Sequence, residues 1–330
     1  MTRIMVTGAA GFIGYHLARS LHQRSDVHLV LVDNFSRGAD DELYRELCRQ
    51  PRVEAHQVDL CDPNAVASLP EDIDTIYHEA ALNGTQNFYE RPYEVLRSGT
   101  LPTFYLIDKY VRIGRLNRFV FAGTPEAYAS TVTKFNWPVP TDENVPLCVD
   151  DVFNERWSYA TAKIHGEVLT VNACRQFDVP FSIIRYHNVF GPRMGDKHIV
   201  PDFLIRLRRG IAELYGHGDT RAFLYVDDAV EATRLVGESE STVNQVINVG
   251  GEEELTMLEL AQRMMAILGR SPDDIQLHPS PAGSVKRRLP SIQKLQKLTG
   301  FRAQWSLEDG LVEAIRFYAP ELLPAGMLLS

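Results

Sequence analysis

Tyr159 and Lys163 stand four residues apart in the stretch Arg-Trp-Ser-Tyr-Ala-Thr-Ala-Lys-Ile-His-Gly-Glu, residues 156–167. On a helix that spacing puts a phenol and an ammonium group on one face. A free phenol has a pKa of about 10, so proton removal near neutral pH requires its acidity to rise by about 4 kcal/mol. A neighbouring cation favours the phenolate and contributes to that. A second set, Gly8, Gly11 and Gly14, recurs at a spacing of three. A glycine turn between a strand and a helix lets the backbone approach a pyrophosphate, because no Cβ intervenes and helix-start N–H groups face the anion. A tight turn without a ligand has the same spacing, and the next strand decides between the two. It ends at Asp33, nineteen residues after Gly14. An acid there accepts both hydroxyls of an adenosine ribose and repels a 2′-phosphate, which predicts NAD rather than NADP. Arg37 is the one neighbour that argues the other way.

These residues need a scaffold, and the apolar pattern supplies one. Ile4-Met5-Val6 reads as a buried strand and Phe12, Ile13 and Leu17 as the start of a helix reaching about Arg24. Further strands are expected over 27–32, 53–58, 74–81, 117–122 and 180–186. Asp59-Leu60 follows the third strand, where Asp59 either meets an adenine amino group or belongs to a helix-capping cluster with Asp62-Pro63. The fourth strand ends in Ala80-Ala81, small enough for a cofactor to lie against the backbone. His78 reads as a strand residue with a satisfied hydrogen bond. A long helix over 92–114 contains Pro102, which should kink it. Residues 131–151 carry three prolines and no clear period, so an irregular segment is expected beside the cleft. Past Arg193, short strands near 214–215, 221–226 and 246–249 precede helices over 256–268 and Leu307–Tyr318. Alternating strands and helices with short joins predict an α/β fold. Its core is a Rossmann-type doubly wound parallel sheet over 1–186, also receiving 226–249. A smaller C-terminal α/β lobe, mainly 187–330, would select the substrate.

Composition narrows the partners. A net charge of −9 over 330 residues argues against nucleic acid and anionic membranes, which want a basic face. No apolar run reaches the ~18 residues of a membrane span. The glycine turn begins at residue 8, which leaves no room for a signal peptide, so a cytoplasmic protein is expected. Cys48, Cys61, Cys148 and Cys174 lack metal-type spacing and read as reduced thiols; no metal is expected.

Taken together, Thr7-Gly8-Ala9-Ala10-Gly11-Phe12-Ile13-Gly14, Asp33, the Thr124 segment, Tyr159-x-x-x-Lys163 and Arg185-Tyr186-His187-Asn188-Val189-Phe190-Gly191-Pro192 resemble the extended short-chain dehydrogenase/reductases. More narrowly they resemble the NAD-dependent sugar-nucleotide epimerase/dehydratase branch, over residues 2 to about 317. The resemblance implies that Tyr159 is the base, Lys163 its partner and Thr124 the hydroxyl that binds the reacting sugar oxygen. It implies NAD contacts from the glycine turn (with Phe12 and Ile13), Asp33, Asn34, Asp59, Leu60, Ala80, Ala81, Tyr159, Lys163 and Tyr186. For the nucleotide sugar it implies Asn188 and Arg221 at the diphosphate and Arg288 facing phosphates or sugar. Leu214 and Tyr215 would lie by the base, which suits uracil and does not exclude guanine, with Arg193 and Val200 nearby. It further implies a homodimer built from helices 92–114 and 155–177.

Departures from the family pattern bear on the reaction. Leu96 replaces an Asn three before Gly99-Thr100, losing a polar contact behind the cofactor. The segment Gly123-Thr124-Pro125-Glu126-Ala127-Tyr128 replaces a serine-rich one and reshapes the sugar pocket. In the family, a Glu at position 126 is typical of members that abstract a C5 proton or decarboxylate at the ketone stage. The 4,6-dehydratases precede that Glu with an Asp that expels water, and Pro125 cannot donate a proton. Glu126 can equally be structural. Arg185 and Arg193 either recognise a uronate carboxylate or form structural ion pairs. With no acid for elimination and no dedicated carboxylate clamp in view, the expectation is a nucleotide-sugar epimerase working through a transient keto-sugar, with oxidation at C4. Decarboxylation of a nucleotide-linked uronic acid, or a non-standard dehydration using Glu126, is the alternative. A NAD-binding regulatory protein without turnover is the reading from another class.

Overall fold

The computed structural model describes residues 1–280 and 285–327. In chain order the long strands are β1 (Thr2–Thr7), β2 (Val27–Asp33), β3 (Val53–Gln57), β4 (Thr75–His78), β5 (Arg118–Gly123) and β6 (Phe181–Tyr186). Short ones follow: β7 (Val189–Phe190), β8 (Glu213–Tyr215), β9 (Thr220–Ala222) and β10 (Leu224–Tyr225). Then come β11 (Gln245–Val249), β12 (Glu254–Thr256), β13 (Gln276–His278) and β14 (Arg287–Arg288). Seven of them make one sheet in the order β11-β6-β5-β4-β1-β2-β3, all neighbours parallel. Its middle strands are buried and mostly apolar because helices cover both faces: every residue of β4 and β5 is buried, and all but one of β2. This is the Rossmann-type architecture. The second lobe adds the small sheets β12-β9-β14, β13-β8 and β10-β7.

Strand order places the site. The chain builds β1, β2 and β3 in one direction, then returns to lay β4 on the other side of β1. The connections leaving β1 and β4 therefore diverge, opening a crevice at their C-terminal ends. Gly8 to Gly11 leave β1 there, and Glu79 to Ala81 leave β4. The helix Ser158–Gln176 packs beside Pro92–Leu106 against the sheet and carries Tyr159 and Lys163 to the same edge.

Several boundaries differ from expectation. β4 stops at His78, because the Glu79 and Ala80 N–H groups turn onto the Thr7 carbonyl and hydroxyl. Pro102 does not end its helix: Pro92–Leu106 runs through it into a π turn, Ile107–Val111. There the Arg112 N–H reaches back to the Ile107 carbonyl at 3.1 Å, which turns Ile107, Tyr110 and Val111 into the core. Residues 131–151 begin inside a helix, Ala129–Lys134. The strand expected over 221–226 is two short strands flanking Phe223, and Val226 opens the helix Val226–Glu238.

Candidate active site

A cavity of about 1270 Å³ occupies the crevice. Its glycine wall tolerates no side chains. A Cβ on Gly8, whose φ is +68°, would meet the Ala80 backbone at 2.8 Å, and one on Gly14 would meet the Gly8 carbonyl at 2.1 Å. Asp33 caps the wall: one carboxylate oxygen accepts the Ala10 N–H at 2.9 Å, the other the Phe35 N–H at 2.8 Å. Burial raises its pKa, opposed by those N–H groups. Gly11, Phe12, Ile13, Asn34, Asp59, Leu60, Ala80, Ala81 and Tyr186 line the same cavity. Asp59 accepts from the Cys61 N–H at 3.0 Å and from Asn34 at 3.4 Å, while Asp62 caps the next helix. A bare-backbone cradle at a helix start, with a carboxylate at the end of β2, fits a dinucleotide. Arg193 lies at this end: its buried side chain pairs with Asp41, donates to the Ala10 carbonyl and covers the Tyr15 ring. It braces the glycine turn rather than facing the sugar side.

Thr124, just past β5, accepts the Glu126 N–H at 3.3 Å and stands within hydrogen-bonding reach of the Tyr159 phenol. Tyr159 is buried and stacks on Phe88 at 5.1 Å between centroids. Lys163 does not point at that phenol. Its Nζ donates to the Ala122 carbonyl at 2.7 Å, lies 4.9 Å from the Phe121 ring centroid and 5.9 Å from that of Tyr159. Burial lowers Lys163 to about 8, with Glu79 and Glu167 opposing. Burial also raises the phenol well above its ordinary value, with Arg37 the leading charge against it. Protein groups alone thus leave Tyr159 protonated. The positive ring of a bound nicotinamide would add to the charges that favour the phenolate.

Opposite Thr124, three arginines meet one carboxylate. Arg288 donates to Glu126 at 2.8 Å and Arg156 at 3.5 Å, while Arg221 stands close behind. Burial pushes Glu126 up, but Arg288, Arg156 and Arg221 overcome it and hold the carboxyl below its ordinary value. It is therefore an ionised group. Arg156 was not singled out from the sequence; it lies three residues before Tyr159, and only folding turns it toward Glu126.

Asn188, Leu214, Tyr215 and Arg221 line a smaller adjoining cavity of about 530 Å³. Tyr215 stacks on His278 at 4.6 Å. Val200 corrects one expectation: it is 1% exposed in the core, and its neighbour Ile199 faces both cavities. Leu96 also differs, standing at the surface, 36% exposed, while Arg97 and Ser98 reach the cavity. His78 is bonded to Thr7 and Thr103 at 2.7 and 3.0 Å, and burial holds it neutral at about 3. Arg185 forms a buried two-point pair with Glu167 at 3.0 and 2.9 Å, which makes it structural. Glu79 lines the cavity unforeseen. Burial raises it to about 7 although it accepts the Tyr186 hydroxyl at 2.9 Å. All four cysteines are free thiols, and no helix of the described residues is long and apolar enough to cross a membrane.

Known proteins share this layout. The profile of the NAD dependent epimerase/dehydratase family matches residues 4–250. UDP-N-acetyl-alpha-D-glucosaminuronate decarboxylase from Bacillus cytotoxicus is 30% identical over 326 residues, covering 96% of this chain and 97% of that protein. The crystal structure of UDP-glucuronic acid 4-epimerase from Bacillus cereus, with UDP-glucuronic acid and NAD, superposes with a TM-score of 0.85 at 25% identity. That match covers 97% of this chain and all of the other. A UDP-galactose 4-epimerase structure superposes at 0.80 with 30% identity, over 97% and 100% of the two chains.

Proposed function

The chain belongs to the NAD dependent epimerase/dehydratase family, and from that premise we propose that it acts on a nucleoside-diphosphate-linked uronic acid, oxidising C4 and then releasing the C6 carboxyl as CO2. The observation that carries the reading is the Glu126 carboxylate fixed between Arg156 and Arg288 beside Thr124. Two such arginines form the carboxylate clamp that could not be picked out from the sequence. With Arg221 behind them, they leave an excess of positive charge for an acidic sugar and its diphosphate.

NAD is the cofactor, held by the glycine turn, Asp33 and the cavity wall named above, and it supplies a reversible two-electron acceptor at the sugar carbon. Tyr159 Oη takes the C4 hydroxyl proton, and the Thr124 hydroxyl donates to the same oxygen as charge develops on it. Once C4 is a ketone, the C5–C6 bond lies β to a carbonyl. It can break with its electron pair settling on the C4 oxygen, where the Tyr159 and Thr124 hydroxyls again donate; the enolate then takes a proton at C5 to give the 4-keto pentose, to which the hydride taken from C4 can be returned. Glu126, ionised, cannot donate a proton to a leaving hydroxyl, and Pro125 has none to give, which disfavours elimination. Its negative charge beside the substrate carboxylate is relieved when neutral CO2 departs.

Epimerisation at C4 of the same sugar class is the second reading. The likeness to a UDP-glucuronic acid 4-epimerase supports it, as does a cavity large enough for a keto-sugar to turn over. Incubation with UDP-glucuronic acid and its N-acetylated counterpart, followed by mass and proton NMR, separates them. Loss of CO2 is the expected result and an isomer of unchanged mass supports the second reading. Turnover of neutral UDP-hexoses with both uronates untouched would overturn the acidic-sugar reading.

A further inference from the structure

Arg37 leaves the loop after β2 four residues past Asp33, yet its guanidinium reaches across the crevice. Nη1 stands 2.9 Å from where a Cβ on Gly84 would sit, and Nη2 3.1 Å from the same point on Gly195. Nη2 also lies 3.5 Å from His198 Nε2. The guanidinium thus threads a slot between two glycines. One belongs to the loop beyond β4, the other to the segment leading into the helix Ile199–Arg208. A side chain at either position would close the slot.

No carboxylate among the described residues pairs with this cation; the Tyr159 phenol and then Asp196 act on it only at longer range. Four other arginines of the cavity are anchored: Arg193 on Asp41, Arg156 and Arg288 on Glu126, Arg221 on the carbonyls of Thr220 and Lys286; Arg91 and Arg97 line it as well, without the approach to Gly84 and Gly195 that places Arg37 across the slot. His198 adds no negative charge, since burial and Arg37 hold it neutral at about 4. An exposed guanidinium at the mouth of the crevice, set between Gly84 and Gly195 and without a carboxylate partner, favours an anion there. The glycine turn forms another wall of the same cavity, with helix-start N–H groups suited to the same anion. A ribose 2′-phosphate does not fit the arrangement, because Asp33 holds that corner and Arg37 makes no bond to it.

We propose that Arg37 is a pyrophosphate clamp, closing from the cavity mouth on a nucleotide diphosphate held against the glycine turn. Two nucleotides bring that group to this site, the dinucleotide and the nucleotide sugar, and the root of Arg37 beside Asp33 favours the first. The inference rests on NAD as cofactor. Titration calorimetry of the full chain with ADP-ribose, AMP, UDP and UMP tests it. Arg37→Ala is expected to weaken ADP-ribose about tenfold or more, the loss of a charge-assisted pair, while AMP stays within about twofold. Arg37→Lys should recover part of the loss. A loss confined to UDP relative to UMP assigns the clamp to the substrate's diphosphate. Unchanged affinity in both pairs, or AMP weakened as much as ADP-ribose, overturns the clamp. Failure of the wild-type chain to bind ADP-ribose would instead count against the cofactor reading.

Discussion

At the scale of single residues, the phenol proposed as base and its ammonium neighbour are arranged differently from a simple ion pair. Lys163 is anchored on the Ala122 carbonyl, so it fixes a positive charge one helical turn from Tyr159 without touching the hydroxyl. Tyr159→Phe should keep its NAD, because stacking on Phe88 does not need the hydroxyl, and should lose about 10²-fold or more in kcat. Absorbance of retained NAD and product NMR read the two effects separately; near-normal turnover would remove the proposed base. The lysine sets a pH limit. Burial lowers Lys163 to about 8, so raising the pH through that value strips its proton and its charge, and kcat should fall there. The negative charge of Glu79 holds the lysine up, so Glu79→Gln should move that falling limb to lower pH. A limb that stays in place, or moves upward, would show that another group governs it.

At the scale of elements, the site depends on how two helices meet. Pro92–Leu106 crosses Ser158–Gln176 at Gly99, where an added Cβ would stand 2.6 Å from the Ala162 Cβ. Ala162 directly precedes Lys163, so prising the helices apart displaces the lysine and the tyrosine one turn away. Gly99→Val should cost about 1–3 kcal/mol from overpacking, a melting-point drop of several degrees, and depress kcat more than cofactor affinity. Scanning calorimetry beside NAD titration checks it; a variant with unchanged melting and turnover would mean the helices part without cost. Such contacts explain what was legible beforehand. Strands covered on both faces write themselves as apolar runs, so β1, β2, β5 and β6 were found within a residue or two, with the glycine turn and Asp33 between them. The Tyr159–Lys163 face was legible because it obeys helical spacing. The convergence of Arg156, Arg288 and Arg37 was not, since a short helix, β14 and the loop after β2 supply them and only tertiary folding brings them to one cavity. Nor was the anchoring of Lys163, because a backbone carbonyl carries no sequence signal.

At the scale of the whole molecule, the same helix pair has an outer side. Tyr93, Leu96, Thr100 and Phe104 fall on one stripe of Pro92–Leu106, three or four residues apart, and the three apolar ones are 71%, 36% and 47% exposed. Val168, 53% exposed, adds to it from Ser158–Gln176. The inner side carries Ser98, Pro102, Tyr159 and Lys163 to the cavity. A wet apolar stripe on the side of these helices away from the cavity is a feature that self-association would cover, four helices meeting about a two-fold axis. A homodimer is therefore expected by light scattering at micromolar concentration. Phe104→Glu places a charge in that stripe without entering the cavity, and should yield monomer with a lower melting temperature, since association no longer stabilises the fold. Turnover should fall with it, because the outer support of the Tyr159 helix is gone. A wild-type chain that stays monomeric, or a Phe104→Glu chain that stays dimeric, would place the association surface elsewhere and leave the stripe unexplained.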